Sequence, residues 1–174
     1  TYGCGRGAKY NEDGASGHQT HMTNTANAPT EIIELEPPFL VRRYGLVENS
    51  GGAGEYRGGL GLTRELECLT DMSVSIIVSR SHTQPYGLFG GKGGHCDSGT
   101  VLYPDGSVHT IKSGQVPKGS VVRIQTAGGG GWGDPAKRDP AKLEWDVLNG
   151  FVSLEGAKED YGVTIDPKTL KIVK

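Results

Sequence analysis

The sequence predicts a mainly β fold with long glycine-rich loops and two short α-helices near the C-terminus, an α+β arrangement. Three observations predict it. Apolar residues come in short clustered runs such as IIELE, VSIIVS and VVRI, which suit strands. Glycine supplies 29 of 174 residues, against a usual share of about 7%, and without the G-X-Y period of collagen. After residue 135 the style changes to capped segments of helical length. We therefore assign residues 1–135 to a glycine-rich β region and residues 136–174 to a helical C-terminal tail.

Each element follows in order. Residues 1–30 are rich in Gly, Asn, Thr and His and read as a long loop. Residues 31–36 (EIIELE) form a short element stopped by Pro37 and Pro38. FLVRRYGL (39–46) reads as a strand, with β-formers at 39, 41 and 44. A glycine loop (50–61) leads into TRELECLT (63–70), which alternates like a strand. SVSIIVSRS (73–81) is the clearest strand by composition. A second glycine loop covers 84–95. VLYPDGSVHT (101–110) reads as a hairpin, with Asp105-Gly106 suiting a two-residue turn at positive φ. GSVVRIQT (119–126) is a strand that feeds QTAGGGGWGDP (125–135). DPAKLEWDVLNG (139–150) has Pro in its first turn, apolar Leu143, Val147 and Leu148, and Gly150 as a stop. SLEGAKEDYG (153–162) opens on Ser153 as N-cap and closes at Gly162. Residues 163–174 read as a short strand pair about Asp166-Pro167.

Composition narrows the function classes. No apolar run approaches the roughly 18 residues that a membrane helix needs, and no stretch reads as a signal peptide. The chain begins at Thr1, as a fragment or a processed product would. Cys4, Cys68 and Cys96 fit neither a disulfide framework nor a zinc knuckle, which points to the cytoplasm. A formal net charge of −2 without a basic, aromatic-interleaved patch argues against nucleic acid as a partner.

The glycine loops invite a phosphate-binding reading, and spacing argues against it. QTAGGGGWGDP lacks the Lys and Ser/Thr of a P-loop, and Asp134 would repel an anion. The stretch reads better as an ordered turn, with at least one of Gly128 to Gly131 at positive φ and Trp132 partly buried. In the 50–61 loop, Arg57 could fork onto an anion or substrate; the plainer alternative pairs it with Glu65 or Glu55. Lys92 sits in the second glycine loop (84–95) in the wrong order for a P-loop.

The most chemically loaded stretch is GHQTHMTNTANAPTEIIE (17–34). His18 and His21 stand three apart, a spacing that offers two nitrogens to a metal on a helix. Gly17, Thr20, Thr23 and Asn24 favour a loop instead, with hydrogen-bonding histidines. Asn24 and Asn27 bring donors and acceptors that could orient a small amide or acid, or could satisfy their own backbone. Cys68 lies within a strand pattern, as a core residue does.

Five stretches together carry a resemblance. HMTNTANAPTEIIE (21–34), SGGAGEYRGGLGLTRE (50–65), PYGLFGGKGG (85–94), QTAGGGGWGDPAKRDP (125–140) and DVLNGFVSLEGAKEDYGV (146–163) appear in the order of the corresponding blocks of the hydantoinase/oxoprolinase family. The chain resembles the C-terminal portion of that family's B subunit, which includes N-methylhydantoinase, 5-oxoprolinase, caprolactamase, and the acetone and acetophenone carboxylases. Ala28 and Ala127 depart from commoner Thr and Pro, and CGRGA replaces a more glycine-rich form.

The resemblance implies an ATP-dependent enzyme that activates a carbonyl oxygen by phosphorylation. It implies ring opening of a cyclic amide (hydantoin, oxoproline or a lactam). The alternatives it leaves are carboxylation of a ketone, or a non-catalytic segment that docks the partner A subunit. It places ATP on the A subunit and the divalent metal in an N-terminal remainder of the B subunit, so this segment is expected to bind neither. Polar chemistry and motif position together make His18, His21, Asn24 and Asn27 the catalytic candidates, with Arg57 as anion or substrate partner.

Overall fold

The structure is a computed structural model that describes residues 2–19 and 24–173. Helix α1 (Thr30–Leu35) precedes strands β1 (Phe39–Leu46), β2 (Leu62–Cys68), β3 (Met72–Ser75), β4 (Ser98–Leu102), β5 (Val108–Thr110), β6 (Ser113–Val116) and β7 (Val121–Gln125). A 3-10 turn (Pro135–Lys137) and helices α2 (Pro140–Leu148) and α3 (Leu154–Tyr161) follow. The fold is thus mainly antiparallel sheet with two short C-terminal helices, as the sequence predicts. No helix of the described residues is long and apolar enough to cross a membrane.

Five strands form one sheet in the order β1-β2-β7-β4-β5, and β3 pairs with β6 in a second. Between them lies a core of Cys68, Val74, Ile76, Val101, Val116 and Val122. Cys68 is fully buried there, and burial pushes its thiol pKa up, as suits a small core side chain rather than a nucleophile.

Three local expectations change. The stretch 73–81 is a strand only as far as Ser75, because its partner β6 supplies four residues, from Met72↔Val116 to Ser75↔Ser113. Ile76 still donates to the Lys112 carbonyl at 2.8 Å, but Ile77 is 93% exposed. The short partner SGQV has a single strong β-former, Val116, so β6 is not legible in the sequence. The 101–110 hairpin forms, but through a three-residue connection: Tyr103 N–H donates to Ser107 O and Gly106 N–H to Tyr103 O. Gly106 alone is at positive φ (85°) there, the geometry of a type I turn with a bulge. Among the described residues, 163–173 pair through one bridge rather than two strands, Ile165↔Ile172, flanked by Asp166 N–H to Lys171 O and Val173 N–H to Thr164 O, about a turn in which the Asp166 carboxylate accepts from the Lys168 and Thr169 N–H groups.

The tail behaves as its caps dictate. Asp139 accepts from Ala141 N–H ahead of Pro140, and Ser153 accepts from Gly156 N–H. Gly162 closes α3 at φ 69°, where a side chain would be strained. Leu143, Val152, Ala157, Tyr161 and Ile165 pack on Ala53 of a glycine loop. Fully burying a side chain such as Leu143 contributes about 1.5–3 kcal/mol.

Glycine segments fill the centre of the β region. The run 128–131 is buried, yet none of its four glycines has positive φ; Gly133 does, at 75°. What the run requires is close approach. A Cβ at Gly128 would meet Ser50 O at 1.7 Å, at Gly129 Arg6 O at 2.0 Å, at Gly130 Tyr86 O at 1.9 Å, and at Gly131 Ala53 O at 2.2 Å. Residues 128 and 131 therefore face one segment (50–53), 129 a second and 130 a third. Hydrogen bonds keep the same step of three. Gly5 and Ala8 donate to Ala127 and Gly130; Gly128 and Gly131 donate to His95 and Lys92. This is the three-residue repeat of an extended helix without internal bonds, enclosed by backbone. Trp132, half-buried, ends the run against Tyr10, Tyr56 and Phe89 at ring separations of 5.3–5.7 Å.

Candidate functional site

The loop that carries the sequence candidates runs along the β1 side of the main sheet. Gln19 organises it. Its Nε2 donates to Asn27 Oδ1 at 3.2 Å. Its Oε1 accepts from the Thr25 N–H and hydroxyl at 3.3 and 3.1 Å. Asn27 Nδ2 in turn donates to the Tyr44 hydroxyl at 2.6 Å. Tyr44 belongs to β1 and stands opposite Arg64 in β2. The Arg64 guanidinium carbon lies 4.2 Å from the Tyr44 ring centroid and 4.9 Å from that of Tyr2. One continuous polar path therefore runs from the loop into the sheet.

The structure treats the candidates differently. Asn27 is half-buried and bonded on both sides of its amide. Asn24 is exposed on the same loop. His18 is exposed, and its backbone exchanges two bonds with Cys4. His21 lies outside the described residues. Asn27 is thus gathered with Gln19, Thr25, Tyr44, Arg64 and Tyr2. Of these companions, residue type and spacing do not single out Gln19, Tyr44 or Tyr2.

Arg57 lies elsewhere. It is 4% exposed; its Nε donates to Asp146 Oδ1 at 3.2 Å and its Nη1 to Gly58 O at 2.6 Å. The anion expected from a substrate, Glu65 or Glu55 is in fact Asp146 of α2. Glu65 instead accepts from Arg123 at 2.9 Å, and the Glu55 carbonyl accepts from Arg138. Arg138 donates to Asp146 Oδ2 at 2.6 Å and to both Asp13 oxygens at 2.9 and 3.1 Å. Asp13 also accepts the Arg57 N–H at 2.7 Å. Burial works against ionised Asp13, but the hydrogen bonds and charge of Arg138 outweigh it and hold its pKa below the ordinary carboxylate value. Burial likewise opposes the Arg138 cation, and Asp13 and Asp146 more than offset it. These charges tie the N-terminal loop, a glycine loop and the tail together.

The glycine run does not fit a nucleotide phosphate. A phosphate cradle aims N–H groups at the anion, whereas the open faces of Gly128 to Gly131 meet carbonyl oxygens. Lys92 is paired with Asp160 at 2.9 Å. A cleft of about 340 Å³ does open beside this run, edged by Cys4, Arg80 and Tyr86.

A pattern signal for Arg64 does exist. In LTRELEC the period of two places Leu62, Arg64, Leu66 and Cys68 on one face, so the charge stands among apolar residues. Asp146 has the same anomaly beside Leu143 and Val147 of α2.

Comparison with known proteins agrees with this architecture. The model of the family described as Hydantoinase B/oxoprolinase matches residues 1–135. The chain is 34% identical over 164 residues to the B subunit of a putative D-/L-hydantoinase of Pseudomonas sp. (strain NS671), covering 91% of this chain and 28% of that one. It is 42% identical over 137 residues to 5-oxoprolinase 1 of Arabidopsis thaliana, covering 75% of this chain and 10% of that one. The crystal structure of the ATP-dependent caprolactamase from Pseudomonas jessenii superposes with a TM-score of 0.81 at 33% identity, over 94% of this chain and 30% of that chain. The chain therefore spans less than a third of the length of these relatives.

Proposed function

Because this chain belongs to the hydantoinase B/oxoprolinase family, we propose that it serves as the C-terminal part of the B subunit of an ATP-dependent cyclic-amide hydrolase. Its substrates would be hydantoins, oxoproline or lactams. The observation that carries the reading is its likeness to a caprolactamase along 94% of its length. That the hydantoinase relative is named as one subunit of its enzyme supports assembly with further chains, here an A subunit and the N-terminal remainder of a B subunit.

A ring amide is a poor electrophile, and ATP supplies the phosphoryl group that turns its oxygen into a leaving group. ATP and a divalent metal would be held outside this segment. Within it, the loop of His18, His21, Asn24 and Asn27 supplies polar groups for the substrate. Asn27 is the best positioned. Gln19 fixes its carbonyl and Tyr44 takes one of its two N–H donors, so the second can meet charge that develops on the substrate. Arg57, committed to Asp146, shapes the scaffold instead.

The test is ATP hydrolysis by the complex of this chain with its A subunit and B-subunit remainder. A cyclic amide should stimulate it, and Asn27→Ala should lower that stimulation at least tenfold. Absence of stimulation by lactam, hydantoin and oxoproline alike rejects the reading. Dependence on bicarbonate would point to a carboxylase.

A further inference from the structure

Arg64 is an unusual cation. It sits in the middle of the sheet, between Tyr44 of β1 and Ile124 of β7, and is 5% exposed. Its Nε is enclosed and has no hydrogen-bond partner. Among the described residues its guanidinium has no ion pair, in contrast to buried Arg57 and Arg138, which share Asp146. The nearest acids along β2 are spent on other arginines, Glu65 on Arg123 and Glu67 on Arg42. The rings of Tyr44 and Tyr2 stabilise the positive charge. They accept none of its N–H bonds, so among the described residues the buried charge has no counter-charge, a costly arrangement.

We infer that Arg64 is the floor of an oxyanion site, which takes a carboxylate or a phosphate of a small ligand beside Asn27 and Tyr44. The two aromatic rings attend to the guanidinium carbon, while the N–H fork is the part suited to two oxygens of one anion. The Asn27–Tyr44 bond holds the neighbouring wall. A carboxylate on a substrate and a phosphoryl group share this chemistry. The site stands on the burial and lack of partners of Arg64, so it can hold even where the cyclic-amide reading fails.

The experiment is calorimetric titration of the 174-residue chain with sodium phosphate and, separately, sodium glutarate, at ionic strength fixed with chloride. Saturable one-to-one binding of at least one anion is expected. A preference for glutarate identifies a substrate carboxylate, a preference for phosphate a phosphoryl group, and equal binding their shared chemistry. Arg64→Met should weaken binding at least tenfold. Should that variant not fold, Arg64→Lys keeps the charge but loses the fork, and should weaken binding at least fivefold. A melting temperature raised by the bound anion and not by chloride gives a check that needs no variant. Failure of both anions to bind, or binding unchanged in the folded variant, overturns the site.

Discussion

Arg57 and Arg138, which lie 81 positions apart, close on the same carboxylate: Asp146 accepts Arg57 Nε on one oxygen and Arg138 Nη2 on the other. Both ion pairs are almost wholly buried. Asp146→Ala leaves two buried guanidinium groups short of charge and should cost about 3–5 kcal/mol. Chemical denaturation measures it. Arg57→Met should cost less, because Asp146 keeps Arg138.

Acid should loosen the same region. The folded-state pKa of Asp13 is held below its ordinary value of 3.8. Its contribution is therefore complete above that value and is lost as pH falls through the folded pKa. Denaturation midpoints between pH 5 and 2 should fall less steeply in Asp13→Asn than in the parent, although the variant is weaker at neutral pH. Equal slopes would show that Asp13 is not coupled to folding.

The glycine run gives a sharper contrast. Gly129→Ala forces a methyl to 2.0 Å from Arg6 O and should cost more than about 4 kcal/mol, read as loss of a cooperative melt. Gly114→Ala in β6 has open space around its new methyl. It should stay within about 1 kcal/mol of the parent.

Tyr44→Phe keeps the ring over Arg64 and removes the acceptor of Asn27. It should lower stability by about 0.5–1.5 kcal/mol in urea unfolding. In the assembled enzyme it should reduce amide-stimulated ATP turnover by more than that loss of folded protein explains.

What is legible in the sequence is local. The ends of α2 and α3 can be placed from Asp139, Pro140, Ser153 and Gly162, since caps act within a turn. β1 is legible from its β-formers. Non-local facts are hidden. The end of β3 depends on how much partner β6 offers. The partner of Arg57 is 89 residues away, and neither nearby glutamate signals that. Positive φ is the wrong reason for Gly128 to Gly131; the neighbours that exclude a Cβ come from three distant segments. At the candidate site, Asn27 can be singled out by residue type, whereas Tyr2 and Gln19 are joined to it only by folding.

The step of three along residues 128–131 has a consequence for how this region can vary. Because each residue turns a third of a revolution, removing or adding one glycine would point every later contact at the wrong neighbour. The hydrogen bonds of Gly128 and Gly131 to His95 and Lys92 could then not both form. The run is therefore constrained in length as tightly as in side-chain size, and a glycine-rich stretch that looks expendable is a gauge that sets the spacing of the segments around it.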